Sequence, residues 1–334
     1  MFLLCLRNKV GNYMQLKSQQ LSKNQSDFDK LVEQGDSIHY TAFNFDHHSP
    51  SQLHITDDAL WAWKYFKINQ EIRRKFKFTS KGRLGVAVGG GIAYMFADRL
   101  HTNNSQYIDI KKISFRQYLR DVHEMLNQYQ PMFDDKEEAQ HAYHKKIANR
   151  MCLQMYKAIK SLALKGFVES EANRVCNIGT DIDMLGRTDL ENELCVVEIK
   201  TLPPRRNKMK ADGTYGFSTQ KIGKNIPKLD AVRQTSYYWK ATGKRPFLVY
   251  VNENEYQIFD PSNCDLLTEA AMKDHLQFYK SKAKQRENLL KLSEGNVQKL
   301  LSLVMPDFEH PYLWDIGDEY LEMAKQDFNK AMEL

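Results

Sequence analysis

Residues 186–201 read GRTDLENELCVVEIKT, and the fold turns on this stretch. Two short runs rich in branched apolar residues flank the polar pair Asn192-Glu193, which predicts a β-hairpin. With the turn at Asn192-Glu193, Asp189 faces Val196 and Arg187 faces Glu198. Strand side chains alternate, so Val196, Glu198 and Lys200 share one face, and Cys195, Val197 and Ile199 share the other. Asp189 becomes the diagonal neighbour of Glu198, roughly 7–8 Å away by backbone.

Two carboxylates at that separation can lean toward one cation. Magnesium prefers a few carboxylate oxygens and keeps several waters for a phosphate to displace. Such an ion can polarise the phosphate and acidify a water. Lys200, two residues past Glu198, projects into the same place and can steady negative charge growing on phosphorus. Acid–x–Lys is usually a surface pair worth little. In a strand as apolar as LCVVEIKT, however, a charge is more often buried, and a buried charge needs a partner or a metal.

Working outward, FVESEANRV (167–175), IGTDIDMLGRTD (178–189), ELCVVEIKT (193–201) and RPFLVYVN (245–252) read as strands, with the helix LDAVRQTSYYWKAT (229–242) before the last. Upstream, residues 49–70 read as one aromatic helix with Thr56 at its N-cap and Asp57 and Asp58 in its first turn. An apolar, glycine-rich helix ends near His101. Residues 114–130 and 136–165 make two more helices, the second stopped by Gly166. The expected fold class is α/β (α+β), a small mixed central sheet flanked by helices. The expected organisation is a polar extension over 1–36, one domain over 37–265 with its core at 167–260, and a helical C-terminal region over 266–334.

Gly–x–x–Asp at Gly186–Asp189, an apolar strand ending Glu198–Ile199–Lys200–Thr201, and Gln–x–x–x–Tyr at Gln234–Tyr238 together resemble the RecB-like branch of the PD-(D/E)XK nucleases. The closest flavour is that of phage-type and mitochondrial-genome-maintenance-type exonucleases. The resemblance covers roughly residues 49–260, and SPSQL with LGVAVGGG resembles that branch's opening segments. It implies a restriction-endonuclease-like core with helical extensions, and a Mg2+ or Mn2+ ion held by Asp189, Glu198 and the backbone carbonyl of Ile199. It also implies a catalytic Lys200, and Gln234 and Tyr238 lining the site and the nucleic-acid path. On a helix those two are i and i+4 and share a face. Where many relatives carry a metal-binding histidine, this chain has Gly89; Asp98, His101 and Asp183 are the alternatives. Relatives with an iron–sulfur cluster need four flanking cysteines, which this chain lacks.

Residues 203–228 carry seven basic residues, Arg205, Arg206, Lys208, Lys210, Lys221, Lys224 and Lys228, against one acid, Asp212. The whole chain of 334 residues has a net charge of +6. So long a loop is functional or disordered, and its charge beside the proposed metal site suits a phosphate backbone, with Tyr215 or Phe217 free to stack on a base. Gly89-Gly90-Gly91 lacks the Gly-Lys-Ser/Thr of a P-loop and reads as close packing at a helix start. His47-His48 and His141/His144 lack a convincing third metal ligand. Five scattered cysteines suggest neither zinc nor a disulfide framework, and an intracellular, reducing, cytoplasmic setting. No apolar run approaches the ~18 residues that would span a membrane. The expected activity is a metal-dependent DNA exonuclease in recombination, repair or replication, with DNA and a recombination or replication protein as the expected partners. The alternatives are a structure-dependent endonuclease and a non-cutting nucleic-acid-binding factor.

Overall fold

The computed structural model describes residues 38–333, apart from 76–78, 103–105, 130–134, 224–226, 311–312 and 315. The extension expected over 1–36 and the basic Lys224 lie outside the described residues. Short helices come first: α1 (Ile38–Ala42), α2 (Pro50–Leu53), α3 (Asp58–Ala62), a π-helical turn over Trp63–Lys67, and α4 (Gln70–Lys75). The single helix expected over 49–70 is therefore broken. Ser49 and Gln52 close a capping box on α2, and Asp57, not Thr56, caps α3 by taking the Leu60 N–H at 2.9 Å. Each cap satisfies orphaned N–H groups and starts a new helix.

A helical layer follows, α5 (Ser80–Phe96), α6 (Phe115–Asn127) and α7 (Asp135–Ser161). Then come most of the strands: β1 (Arg99–His101), β2 (Tyr107–Asp109), β3 (Glu169–Cys176), β4 (Met184–Glu191), β5 (Cys195–Thr201), β6 (Arg205–Met209), β7 (Tyr215–Ser218), β8 (Arg245–Val251) and β9 (Tyr256–Phe259). Seven form one sheet in the order β2-β1-β3-β4-β5-β8-β9, while β6 and β7 form a separate hairpin. The pairs β1–β3 and β5–β8 are parallel and the other pairs of the large sheet antiparallel. The fold is thus mixed α/β around a mixed, mostly antiparallel sheet. Beyond the strands read from the sequence, it has β1, the edge strands β2 and β9, and a hairpin inside the basic loop.

Alternation sends β5 in two directions. Val197 joins Leu84, Val88, Ile92, Met151 and Val249 in the core beneath α5 and α7. Val196 joins Tyr237, Tyr238, Leu276 and Tyr279 on the opposite face, against α8 (Leu229–Thr242) and α9 (Glu269–Leu292). The chain ends in α10 (Val297–Ser302) and α11 (Asp318–Met332). The aromatic C-terminal stretch docks on the first helices: Trp314 lies 6.0 Å from Trp63 and donates to Asp57 at 3.2 Å. Arg286 of α9, fully buried, ties those helices down through Asp58 at 3.1 Å and the Gln52 carbonyl at 2.7 Å. Among the described residues no helix is long and apolar enough to cross a membrane.

The hairpin register differs from the expected one by two residues. Leu190 pairs with Val197 and Glu191 with Val196. The cause is Asn192, whose side-chain oxygen accepts the N–H groups of Leu194 and Cys195 at 2.9 and 2.8 Å. This Asx-type wrap makes the turn longer than the two residues assumed. A shift of two preserves the faces but moves Asp189 from diagonal to directly opposite Glu198.

Glu191 locks the base of this hairpin. It is fully buried, is gripped by Arg174 of β3, whose Nε donates at 3.0 Å, and meets Lys244 Nζ at 2.7 Å and the Thr188 hydroxyl at 3.0 Å. Burial works to raise its pKa, but the hydrogen bonds and charges of Arg174 and Lys244 outweigh it and lower the value below the ordinary 4.5. Its stabilisation is therefore complete above the unfolded-state value and drains away as the pH falls through the lower folded value. Glu191→Gln should cost about 2–3 kcal/mol at neutral pH, because two cations lose their partner. Urea melts of wild type and variant should show that gap closing on acidification; a gap independent of pH would refute the ion-pair account.

Candidate active site

The β4–β5 ladder stops at Leu190–Val197. Beyond it the strands part, and the Asp189 side chain takes the Ile199 N–H at 2.6 Å. Glu198 is 3% exposed. One of its oxygens meets Lys200 Nζ at 2.5 Å, while the other, Oε2, is buried without a hydrogen-bond partner. Such an orphan in a carboxylate is costly unless a cation completes it.

Lys200 leads into a relay. Its Nζ donates to Gln234 Oε1 at 2.8 Å, Gln234 Nε2 donates to Tyr238 Oη at 2.8 Å, and Tyr238 donates to the Arg187 carbonyl at 2.6 Å. The order of donors is forced. The tyrosine proton is committed to a carbonyl, so its oxygen must accept from the amide nitrogen. Gln234 must then present its carbonyl to the ammonium. The i,i+4 spacing of Gln234 and Tyr238 on α8 makes this possible. Tyr238 is itself buried, so it supports the site from behind.

Gly186 makes room for that support. A Cβ there would stand 2.6 Å from the Tyr237 ring and 2.8 Å from the Tyr238 ring. Neither ring can retreat, because Tyr237 donates to the carbonyls of Arg174 and Met184, both at 2.6 Å. The glycine of Gly186–Asp189 is thus a packing requirement for the two tyrosines of α8.

Burial, and then the charge of Glu198, push the Asp189 carboxyl well above the usual range, against Lys200 and the Ile199 N–H. Burial likewise raises Glu198, against Lys200. For Lys200, burial works to lower the pKa, but the Glu198 and Asp189 charges prevail and raise it. With both carboxylates ionised, the state that a bound cation would favour, two acids and one ammonium carry a net negative charge.

Asp189, Lys200 and Ile199 line a cavity of about 720 Å³ that opens toward α5. Gly89 and Gly90 line it from the helix side, and Ser170 and Glu171 from β3. Position 89, where the resemblance of the sequence implied a histidine and this chain has glycine, thus lines this cavity. The sequence reading did not find Glu171. The pairs Ser170–Leu190 and Ala172–Thr188 bracket it opposite Asp189, its φ of 56° lies in the left-handed region, and it pairs with Arg187 at 3.3 Å. A non-glycine residue at that φ is uncommon and clusters at functional sites. Its charge acts on both Asp189 and Glu198. Strand register would have placed Glu171 beside Asp189; its backbone twist has no sequence signature.

The other candidates lie elsewhere. Asp98 pairs with Lys112 at 2.7 Å and accepts the Val168 N–H. His101, on β1 rather than on α5, faces Glu169 at 3.2 Å, and Asp183 is exposed and bonded by Asn177. His48 is buried against Glu287 at 3.0 Å, and His144 holds the Ser80 hydroxyl at 2.7 Å. Among the described residues, no three His, Cys, Asp or Glu side chains converge to hold a metal, so the candidate donor set is two carboxylates and a backbone carbonyl. Of the basic residues, Arg205 reaches the cavity, with Lys81 and Lys228. Arg206, Lys208 and Lys210 lie exposed on β6, and Lys221 is exposed just after β7. The aromatic rings of that hairpin already have partners: Phe217 stacks on Tyr143 at 4.2 Å, and Arg206 covers Tyr215 at 5.2 Å.

Set against known protein families, curated proteins and solved structures, the chain matches none.

Proposed function

We propose that this chain is a divalent-metal-dependent DNA exonuclease with a restriction-endonuclease-like core of the PD-(D/E)XK type. The observation that carries the reading is the pair Asp189, half-buried at the cavity, and Glu198, buried, on adjacent strands, with Glu198 Oε2 unpartnered beside a charged Lys200. The donor set fits magnesium or manganese, which bind few carboxylates and keep waters in the remaining positions. Asp189, Glu198 and the Ile199 carbonyl would hold the ion, which would supply Lewis-acid polarisation of the scissile phosphate and a more acidic water. Lys200 stays protonated between two acids, so it acts as a charge and a hydrogen-bond donor, orienting the attacking water and meeting the phosphoryl oxygens. Gln234 is a positioning residue that keeps the ammonium aimed. The exposed basic residues of β6 and Lys221 supply long-range attraction for a polyanion.

Magnesium-dependent digestion of DNA labelled at one end and then the other tests the activity. Wild type should release nucleotides from one end, and Lys200→Ala should be about 10²–10³-fold slower, the usual cost of one electrostatic stabiliser. Internal cuts would favour an endonuclease. Wild type that binds DNA and cuts nothing with either metal would leave the non-cutting factor.

Metal binding has a test without DNA. Asp189→Asn keeps an oxygen for the Ile199 N–H and removes one of two crowded charges. Its metal-free melting temperature should match or exceed that of wild type. Magnesium should stabilise wild type, by about 2.7 kcal/mol at a hundredfold excess over Kd, and should leave the variant unmoved. An equal shift in both proteins would exclude Asp189 as a ligand.

A further inference from the structure

The exposed rim of the cavity gathers three cations, Lys81 of α5, Arg205 of β6 and Lys228 ahead of α8. Among the described residues, none of the three forms an ion pair, and Arg205 makes only a hydrogen bond with the neutral Gln220, at 3.2 Å. Burial first, then the charges of Lys228 and Arg205, hold the Lys81 ammonium below its ordinary pKa. Three parts of the chain thus bring like charges together with no ion pair among the described residues to offset them. An anion seated among them would relieve that repulsion.

Part of the wall behind this rim is bare backbone. A Cβ at Gly89 or Gly90 would meet nothing within 4 Å, although both positions line the cavity. Their neighbours differ. A Cβ at Gly85 would strike Thr201 at 2.9 Å, and one at Gly91 would strike the Tyr118 ring at 2.6 Å. Close packing, the role expected of the glycine run, therefore accounts for Gly85 and Gly91 and not for the pair between them. Glycine inside a helix is costly relative to alanine, and among the described residues no close neighbour of a Cβ at 89 or 90 explains that cost. What these two glycines create is volume, and at about 720 Å³ it lies within the roughly 300–1,000 Å³ of ligand sites.

We propose that this cavity is a nucleotide subsite for a single DNA strand: Lys81, Arg205 and Lys228 take a backbone phosphate, and the adjoining nucleoside lies against the side-chain-free surface of α5 at Gly89 and Gly90. The proposal rests on the nuclease reading and extends it. The strand enters over the cationic rim, and its neighbouring phosphate reaches Asp189, Glu198 and Lys200 at the inner end. Bare backbone accepts the flat side of a sugar or base without selecting among bases, as a sequence-tolerant nuclease needs.

Fluorescence anisotropy with a short fluorescein-labelled single-stranded DNA, in calcium to hold the complex uncut, tests this, with melting temperatures and magnesium-dependent cleavage measured on the same proteins. Gly90→Leu fills open space, so it should melt no lower than wild type yet bind at least about tenfold more weakly, as expected for losing one good contact. Lys81→Ala, at an exposed position, should reduce the slope of log affinity against log salt by about one, the signature of one lost phosphate contact. Unchanged affinity and cleavage in Gly90→Leu, or an unchanged salt slope in Lys81→Ala, would overturn the subsite and leave the nuclease reading standing. A wild-type chain that neither binds nor cuts DNA would overturn both.

Discussion

Two carboxylates set side by side, Glu198 buried and Asp189 half-buried, are the constraint around which this structure is arranged. Asp189 and Glu198 stand on adjacent strands where the ladder between them ends, and each disfavours the ionised form of the other. The surrounding features answer that repulsion. The Ile199 N–H is withdrawn from strand pairing and given to Asp189. Lys200 is drawn inward against Glu198. Gln234 and Tyr238 hold Lys200 in place, and Gly186 lets the tyrosine rings come close enough to do it. None of these compensations reaches Glu198 Oε2. The cluster is over-determined except at that one atom, which is where an outside cation would act.

The parts legible in the sequence were those with a strong local pattern. The helix over 229–242 has the expected bounds, because its apolar face, its acidic first turn and Gly243 in the left-handed region all agree. The apolar strands around Glu198 and Leu248 were legible because both faces are buried. The hairpin register was not, since it depended on an asparagine side chain reaching two N–H groups across the turn. The three-residue strands β1 and β2 are too short for alternation to register. The hairpin in the basic loop was hidden for another reason: every residue of Arg205–Met209 is exposed, so no buried face imposes a period of two.

The site was legible to a different depth. Asp189, Glu198 and Lys200 could be placed together because strand alternation is fixed by geometry, whereas Gln234 came to them only through the resemblance of its motif. Glu171 and Lys81 could not. Their approach depends on how β3 twists and on where α5 crosses the sheet, and those are tertiary facts. The glycine run was legible as composition only; its division into packing glycines and open ones needed the neighbouring chains.

That division separates two tasks between two elements. β4 and β5 carry the charged groups and hold them by hydrogen bonds, so their geometry cannot vary much. α5 contributes no charged side chain to the inner end of the cavity and instead contributes space. Space serves only if its wall is rigid, and α5 is fixed at its first turn from outside: Glu137 of α7 accepts the Ser80 N–H at 2.7 Å, and His144 holds the Ser80 hydroxyl. These buried polar contacts also give the histidines of α7 a role that needs no metal. A helix anchored by its end and packed through Gly85 and Gly91 can leave Gly89 and Gly90 empty without collapsing onto the sheet. The local rule against glycine in a helix interior is broken where the fold can tolerate it and where the opening faces the charged groups, which is the pattern expected when function, not stability, governs a position.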